Sequence, residues 1–157
     1  MSLVEKSTQP FTTFTPRSIP GCQVWLDAQD ATTLTVGTTV TQWRDKSGSN
    51  YHASGGNAPT YNASTKYVVF NGTSNNLALP TNAFPAGNTP YSVFLVIYTT
   101  NTAVIQWVMS GGSVLQNNML GFYSSNAGIY HTWYLTEHGI TAMSNNTPVL
   151  ICGSYNG

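Results

Sequence analysis

The apolar residues of this chain stand in short segments separated by turn-forming residues, and this spacing limits the possible folds more than any other feature. The segments are rich in β-branched and aromatic side chains, and turns such as Asn71-Gly72 and Ser110-Gly111-Gly112 divide them. No stretch of useful length has the helical period. Short strands at this spacing are typical of an all-β sandwich or barrel. The predicted strands are residues 22–26, 40–43, 67–70, 77–79, 91–98, 103–109, 119–123, 129–135 and 149–152.

Two of the predicted strands differ in their expected surroundings. Residues 91–98 are almost continuously apolar, which indicates a central strand with both faces covered. Residues 128–135 instead combine Ile129 with His131 and Thr132, a mixture that suits a strand with one face in water. We therefore expect a ligand to bind on the wetter face of this second strand.

Charged residues are few, with five of each sign in the chain, or 6% of its residues. A typical soluble domain has about a quarter. Without a cluster of Lys and Arg, binding to nucleic-acid phosphates is not expected. The hydrophobic fraction of 41% argues against disorder. The longest apolar run, residues 93–98, is far shorter than the roughly 20 residues of a membrane span, so membrane insertion is not predicted either.

The chain length of 157 residues suits one domain. Residues 1–18 are rich in Thr, Ser and Pro and have no sustained periodicity, which predicts an extended arm that either binds along another surface or stays mobile. Residues 19–157 then form the domain. The sequence ends on Asn156-Gly157, a strong hairpin signal. We therefore expect the sandwich to be incomplete at its C-terminal end, with the missing strand supplied either by a continuation of the chain or by a partner.

Three motifs follow one another in the first half of the chain: P-G-x-Q-x-W-L-D-A at residues 20–28, W-x-D-K-S-G at 43–48 and V-x-F-N-G at 68–72. In this order and spacing, residues 19–157 resemble the laminin-G-like, concanavalin A-like lectin-glucanase domains found in structural proteins of giant DNA viruses and in extracellular bacterial proteins. The resemblance implies an antiparallel two-sheet jelly-roll sandwich that binds glycans or decorates a virion. Residues 14–28 are most similar to proteins of giant icosahedral viruses.

The acidic residues are scattered, which bears on catalysis and on metal binding. Glycoside hydrolysis, which occurs on folds of this kind, needs two carboxylates about 5 to 10 Å apart. The chain has no local pair like the E-x-D-x-x-E motif of glucanases of similar fold, so we predict no enzymatic activity. Asp27, Asp30 and Asp45 belong to turn-forming segments, and we favour a structural role for them, with a calcium site as the alternative. The acidic residues are Glu5, Asp27, Asp30, Asp45 and Glu137.

Histidine and cysteine spacing gives no metal motif. His52, His131 and His138 include no H-x-H or H-x-x-x-H pair and have no cysteine motif nearby. Cys22 and Cys152 are too far apart in sequence to indicate a disulfide framework, and whether they pair is left open. Calcium is therefore the one cofactor under consideration.

Aromatic and amide side chains in and near residues 129–135 give the best binding hypothesis. Aromatic rings stack on sugars, and amides form hydrogen bonds with sugar hydroxyls. For any one ring, packing in the core is the favoured alternative, because aromatic residues contribute much to cores and at most half of a strand's side chains face water. The candidate glycan-binding residues are Tyr123, Asn126, Tyr130, His131 and Trp133.

These patterns together favour a non-enzymatic structural protein of a virion, associated with the capsid, a vertex, a spike or a fibre. The arm at residues 1–18 would bind neighbouring capsid or vertex proteins, and the jelly-roll domain would make protein contacts and contacts with host glycans. Association between copies of the chain is left open. The alternative is a carbohydrate-binding module of an extracellular protein with several domains.

Overall fold

The computed structural model describes residues 13–101, 103–112, 120–125, 128–133, 136–142 and 144–157. For residues 120–125, 132–133, 136–138 and 140–142 it describes the backbone alone. The regular structure in these ranges is mostly strand, with three short 3₁₀ helices at Pro16–Ser18, Ala31–Thr33 and Thr81–Ala83. The strands are β1 Leu34–Val36, β2 Val40–Trp43, β3 Ala53–Ser54, β4 Thr60–Asn62, β5 Tyr67–Val69, β6 Tyr91–Ile97, β7 Gln106–Gly111, β8 Leu120–Ser125, β9 Gly128–Trp133, β10 Thr136–Ala142 and β11 Val149–Tyr155.

The chain divides into two compact units, which we call the N-terminal unit and the C-terminal unit. The N-terminal unit comprises the chain up to Val69 together with Asn76–Pro80. The C-terminal unit comprises Phe70–Asn75 and Thr81–Gly157. All strand pairs in both units are antiparallel, in agreement with the predicted β class.

Two small sheets form the N-terminal unit. The first has the order β1-β2-β3, and β4 and β5 form a separate hairpin. Val40 on β2 is fully buried, and its backbone N–H donates to the Pro59 carbonyl at 2.7 Å. Before β1, the Asp30 carboxylate accepts a hydrogen bond from the Thr32 N–H and so caps the Ala31–Thr33 helix. The short strands of this unit thus have both a buried apolar residue, Val40, and polar contacts at their ends.

The C-terminal unit contains a four-stranded sheet, in the order β10-β9-β8-β7, and a two-stranded sheet of β11 and β6. Ile129 on β9 and Ile151 on β11 are its most deeply buried residues and belong to one cluster. The two sheets therefore share a core. The partly buried residues packed against this pair are Phe84, Tyr91, Val93, Leu95, Ile97, Met109 and Val149.

The structure confirms most of the predicted strands and corrects two of them. Residues 22–26 form no strand, because the Trp25 N–H is held by the Asp45 side chain instead of by a neighbouring strand. Residues 77–79 contribute only a single bridge, between Ala78 and Ser54. The prediction of β6 as a central strand covered on both faces is also wrong. Among the described residues β6 pairs only with β11, and its side chains alternate between half-buried and exposed.

The predicted arm meets the N-terminal unit at its C-terminal end. Residues 1–12 lie outside the described residues. Pro16–Ser18 forms a 3₁₀ turn, and the Arg17 guanidinium lies against Gly48. A Cβ added to Gly48 would stand 3.5 Å from Arg17 Nη2, and the φ of +103° at this glycine is one that other residues rarely adopt.

Candidate functional site

The carboxylates of Asp27 and Asp30 both form ion pairs with Lys46. Lys46 Nζ stands 2.8 Å from Asp27 Oδ2 and 2.9 Å from Asp30 Oδ2. The same ammonium lies 4.3 Å from the centre of the Trp25 ring, within the range of a cation–π interaction. The two aspartates also form their own turns, since Asp27 Oδ1 accepts from the Gln29 N–H and Asp30 Oδ1 from the Thr32 N–H.

Proton affinities follow from these contacts. The hydrogen bonds from Thr32 and then from Lys46 lower the pKa of Asp30 to about 2. The hydrogen bond with Asp27, followed by that with Asp30, raises the pKa of Lys46 above its ordinary value. Both shifts favour the charged forms, so Asp30 and Lys46 are ionised across the neutral range.

The Asp45 carboxylate joins three segments of the N-terminal unit. It is almost fully buried and accepts hydrogen bonds from the Trp25 N–H at 2.8 Å, the Ser47 N–H at 2.9 Å and the Tyr51 N–H at 3.1 Å. The Ser47 hydroxyl donates a fourth at 2.7 Å, and the Asp45 N–H donates to His52 Nδ1. Burial opposes ionisation of Asp45, but the hydrogen bonds from Trp25, Ser47 and Tyr51 prevail and lower its pKa.

The three aspartates considered for calcium therefore have structural roles, Asp27 and Asp30 as partners of Lys46 and Asp45 as an acceptor of backbone hydrogen bonds. Lys46 already supplies a positive charge to Asp27 and Asp30, and the oxygens of Asp45 face backbone donors. Within the described part of the chain, His, Cys, Asp and Glu form no group of three that could hold a metal ion. Calcium needs six to eight oxygen ligands, and this arrangement offers it fewer. Cys22 and Cys152 are both free thiols.

The structure describes the side chains of two predicted glycan-binding residues, Tyr130 and His131. Asn126 lies outside the described residues. Tyr123 on β8 pairs in register with Tyr130 on β9, and Trp133 ends β9. Tyr130 and His131 follow each other in one strand and therefore point to opposite faces of the sheet. Tyr130 and His131 thus do not share one face of the sheet.

His131 is buried, in contrast to the wet position that its polarity predicted. Its Nε2 shares a hydrogen bond of 2.8 Å with the Tyr91 hydroxyl, and the two rings meet edge to face. The Tyr155 ring lies 5.7 Å from the Tyr91 ring, and the Tyr155 hydroxyl donates to Asn88. Burial and then the neighbouring Tyr155 raise the pKa of Tyr91 to about 12. This group ties β6, β9 and β11 together.

Tyr130 covers glycines on the other face of the same sheet. A Cβ added to Gly128 would stand 3.2 Å from Tyr130 Cε2, and one added to Gly139 would stand 3.8 Å from Tyr130 Cε1. An aromatic ring laid over strand glycines supplies the packing that those glycines lack. Tyr130 is half-buried, and this contact accounts for its position.

An apolar surface that the sequence analysis missed lies on the outer side of β6 and β11. We call it the β6–β11 face and define it by Ser92, Phe94, Val96, Leu150, Cys152 and Ser154. Phe94 is 59% exposed, Val96 75% and Leu150 69%. Phe94 pairs with Cys152 and Val96 with Leu150, so these side chains are neighbours. The alternation of residues 91–98 between the two faces could have shown which side chains point outward, once one side was known to be buried.

A second exposed aromatic residue escaped the sequence analysis. Trp107 on β7 is 50% exposed and pairs in register with Tyr123. It lies within a predicted strand, but outside the segment in and near residues 129–135 that holds the predicted glycan contacts.

Among the described residues, no helix is long and apolar enough to cross a lipid bilayer.

Comparisons of the chain with family models, with curated proteins and with solved structures gave no match.

Proposed function

We propose that this chain is a non-enzymatic structural protein of a virion, associated with the capsid, a vertex, a spike or a fibre. The observation that carries the proposal is the β6–β11 face, where Phe94, Val96 and Leu150 are exposed side by side. Contiguous apolar surface of this kind marks sites of contact with other macromolecules. The viral setting comes from the resemblance of residues 14–28 to giant-virus proteins.

Within this proposal, residues 19–157 form a jelly-roll sandwich. The shared core of Ile129 and Ile151, which lie on different sheets, supports the two-layer arrangement for the C-terminal unit. The W-x-D-K-S-G motif is supported as a structural element, because Asp45 and Ser47 bond to each other and Gly48 completes the turn.

The positions of the carboxylates support a role without catalysis. Catalytic acids and bases need a positioned oxygen that faces a substrate. The oxygens of Asp45 are taken by N–H and O–H donors, and those of Asp27 and Asp30 by Lys46 and by their own turns. Each of these aspartates thus stabilises a loop of the N-terminal unit.

The proposal also assigns residues 1–18 to contacts with capsid or vertex neighbours. The contact of Arg17 with Gly48 supports it, since it fixes the end of the arm to the N-terminal unit. Deleting residues 1–12, which spares Arg17, should leave the β signal in circular dichroism unchanged and reduce incorporation into particles. Loss of the β signal would contradict this assignment.

Proteomics and cross-linking of purified particles test the main proposal. We expect the protein in the particles, with cross-links to capsid or vertex proteins. Its absence from particles purified away from cell debris would overturn the proposal. The arm deletion above serves as the matched variant, because it should fold normally and yet be depleted from the particles.

A carbohydrate-binding module of an extracellular protein is the second candidate, and the half-exposed indole of Trp107 favours it. Exposed aromatic rings are the usual stacking platforms for sugars. Titration on a glycan array should then show binding that Trp107→Ala abolishes and Val36→Ala, which is similarly exposed, preserves. An array without signal for the wild-type chain would exclude this candidate.

A further inference from the structure

We propose that Asn71 is a self-modification site, at which the loop of residues 71–75 promotes attack of the Gly72 nitrogen on the Asn71 side chain, loss of ammonia and conversion to aspartate or isoaspartate. The inference concerns the C-terminal unit alone and does not depend on the proposed structural function. An Asn-Gly dipeptide opposes this attack least, because glycine has no Cβ beside the attacking nitrogen. The chain contains two such dipeptides, Asn71-Gly72 and Asn156-Gly157.

The first step concerns the side-chain carbonyl of Asn71. Its Oδ1 accepts hydrogen bonds from three consecutive backbone N–H groups, those of Thr73 at 3.0 Å, Ser74 at 2.9 Å and Asn75 at 3.0 Å. Negative charge develops on this oxygen when a nucleophile adds to Cγ. Fixed N–H donors aimed at such an oxygen stabilise the addition, as they do in the oxyanion holes of acyl-transfer enzymes. By contrast, the exposed Asn156 side chain has no hydrogen-bond partner in the described part of the chain.

The second step concerns the attacking and the leaving nitrogen. Gly72 is exposed, and its N–H has no acceptor among the described residues, so its nitrogen is accessible to base and able to attack. The leaving nitrogen, Asn71 Nδ2, donates to Ser74 Oγ at 3.0 Å. Once Cγ becomes tetrahedral, Nδ2 gains a lone pair, and the Ser74 hydroxyl can turn and relay a proton to it from water. The loop thus positions groups at both ends of the reaction.

The atoms of the reaction balance with water as the only co-reactant. The Gly72 nitrogen loses its proton to hydroxide and bonds to Asn71 Cγ, and the Cγ–Nδ2 bond breaks. The Nδ2 group takes up a proton and leaves as ammonia, so that a succinimide ring remains. Water then adds to Cγ or to the backbone carbonyl carbon of Asn71, and the bond from that carbon to the Gly72 nitrogen breaks. Addition at Cγ gives aspartate, and addition at the backbone carbon gives isoaspartate.

The product changes the charge of the C-terminal unit. Residues 70–157 contain a single formally charged side chain, that of Glu137, so a carboxylate at position 71 adds a second negative charge. In the aspartate form this carboxylate can keep the same three N–H donors, and hydrogen bonds to a charged acceptor are stronger. The isoaspartate form instead inserts a methylene group into the backbone of the loop. The two products therefore differ in whether the loop keeps its conformation.

Peptide mapping by mass spectrometry tests the inference on the full chain, incubated at mildly alkaline pH either folded or unfolded in guanidinium chloride. We expect conversion at Asn71 to be at least about tenfold faster in the folded chain than in the unfolded chain, because only the folded loop aims its N–H donors at Oδ1. Conversion at Asn156 should be similar in both. Ser74→Ala should slow conversion at Asn71 several-fold, whereas Ser64→Ala, at an exposed serine of another turn, should behave as the wild type. Circular dichroism checks that both variants fold.

Each outcome decides the inference. Conversion at Asn71 that is no faster in the folded chain than in the unfolded chain overturns it, because the loop would then protect the side chain instead of activating it. In water labelled with heavy oxygen, the succinimide route gives both aspartate and isoaspartate, each with one labelled oxygen. Aspartate without isoaspartate would indicate direct hydrolysis of the amide and would overturn the attack by Gly72. A Ser74→Ala variant that converts as fast as the wild type overturns the proton relay to the leaving nitrogen.

Discussion

In the N-terminal unit one carboxylate, that of Asp45, holds separate segments together, whereas in the C-terminal unit two buried isoleucines, Ile129 and Ile151, do so. All five Lys and Arg residues and four of the five acidic residues lie within residues 1–66. The N-terminal unit is therefore stabilised by hydrogen bonds to charged groups, and the C-terminal unit by apolar packing and contacts between aromatic rings.

This difference in stabilising interactions determines which side chains each unit exposes to a partner. In the N-terminal unit Lys46 is engaged with Asp27 and Asp30, and the Asp45 carboxylate with backbone N–H groups. The C-terminal unit has little charge to keep its strands soluble, and it leaves apolar side chains on the β6–β11 face. Edges and faces without charge are those at which β proteins associate. The four predictions below test this contrast.

The largest expected effect is that of Asp45→Ala. The substitution leaves the N–H groups of Trp25, Ser47 and Tyr51 without their acceptor, so we expect the free energy of unfolding of the N-terminal unit to fall by about 3 to 5 kcal/mol. Asp45→Asn, which keeps one acceptor oxygen, should cost about half as much. Hydrogen exchange in urea measures the effect segment by segment. An equal loss of protection at Ile151 would contradict the separation of the two units.

The C-terminal unit should respond to loss of volume instead. Ile151→Ala removes buried methylene and methyl groups from the shared core, and we expect a loss of about 3 kcal/mol. Leu150→Ala, one residue earlier on the same strand but 69% exposed, should change stability by less than about 0.5 kcal/mol. Urea unfolding of the two variants side by side makes the comparison. Similar losses would show that the outer side of β11 is covered after all.

The sequence predicts the apolar strands of the fold but misses β1, β3, β4 and β10, and it predicts the surroundings of the strands poorly. Strand β2 has its predicted bounds, and β6 ends one residue earlier than predicted, because β-branched and turn residues act locally. β10, with His138 and Gly139 in its interior, lacks the apolar pattern and was missed. Strand β10 forms because its backbone pairs with β9, and its own sequence does not indicate a strand.

The candidate site shows the same division. The turn chemistry of Asp27 and Asp45 follows from short-range preferences and was predicted. The burial of His131 depends on Tyr91, forty residues away, whose hydroxyl satisfies the ring nitrogen. No local pattern reveals such a partner. The exposure of Phe94 and Val96 likewise depends on whether a second layer covers that face of the strand. A continuous apolar run indicates burial of the strand but does not identify which face is buried.

A smaller loss of stability is expected when the Tyr91–His131 hydrogen bond is removed. Tyr91→Phe should lower the stability of the C-terminal unit by about 1 kcal/mol, because it removes the hydroxyl that shares a hydrogen bond with His131 Nε2. The pKa of Tyr91 is raised to about 12 from an ordinary value of 10, so its stabilising contribution is full below pH 10 and is lost as pH rises toward 12. Thermal unfolding between pH 9 and pH 12 should thus be steeper in pH for the wild type than for Tyr91→Phe. Parallel curves would contradict this account.

The smallest expected effect is a loss of stability of the N-terminal unit at low pH. Because the pKa of Asp30 is lowered to about 2 from an ordinary value of 3.8, its contribution is present above pH 3.8 and is lost as pH falls toward 2. The pKa of Asp45 is lowered as well, which adds to the loss in the same direction. Hydrogen exchange should therefore show amides of the N-terminal unit losing protection first as the pH falls below 4, while amides such as that of Ile151 stay protected.

Asp30→Asn removes part of this pH dependence without changing the Asp45 hydrogen bonds. A wild-type acid profile in that variant would therefore assign the pH dependence to Asp45 alone. Acid loosening that begins instead at Ile151 would mean that the contrast between a charged and an apolar unit does not describe how this chain is stabilised.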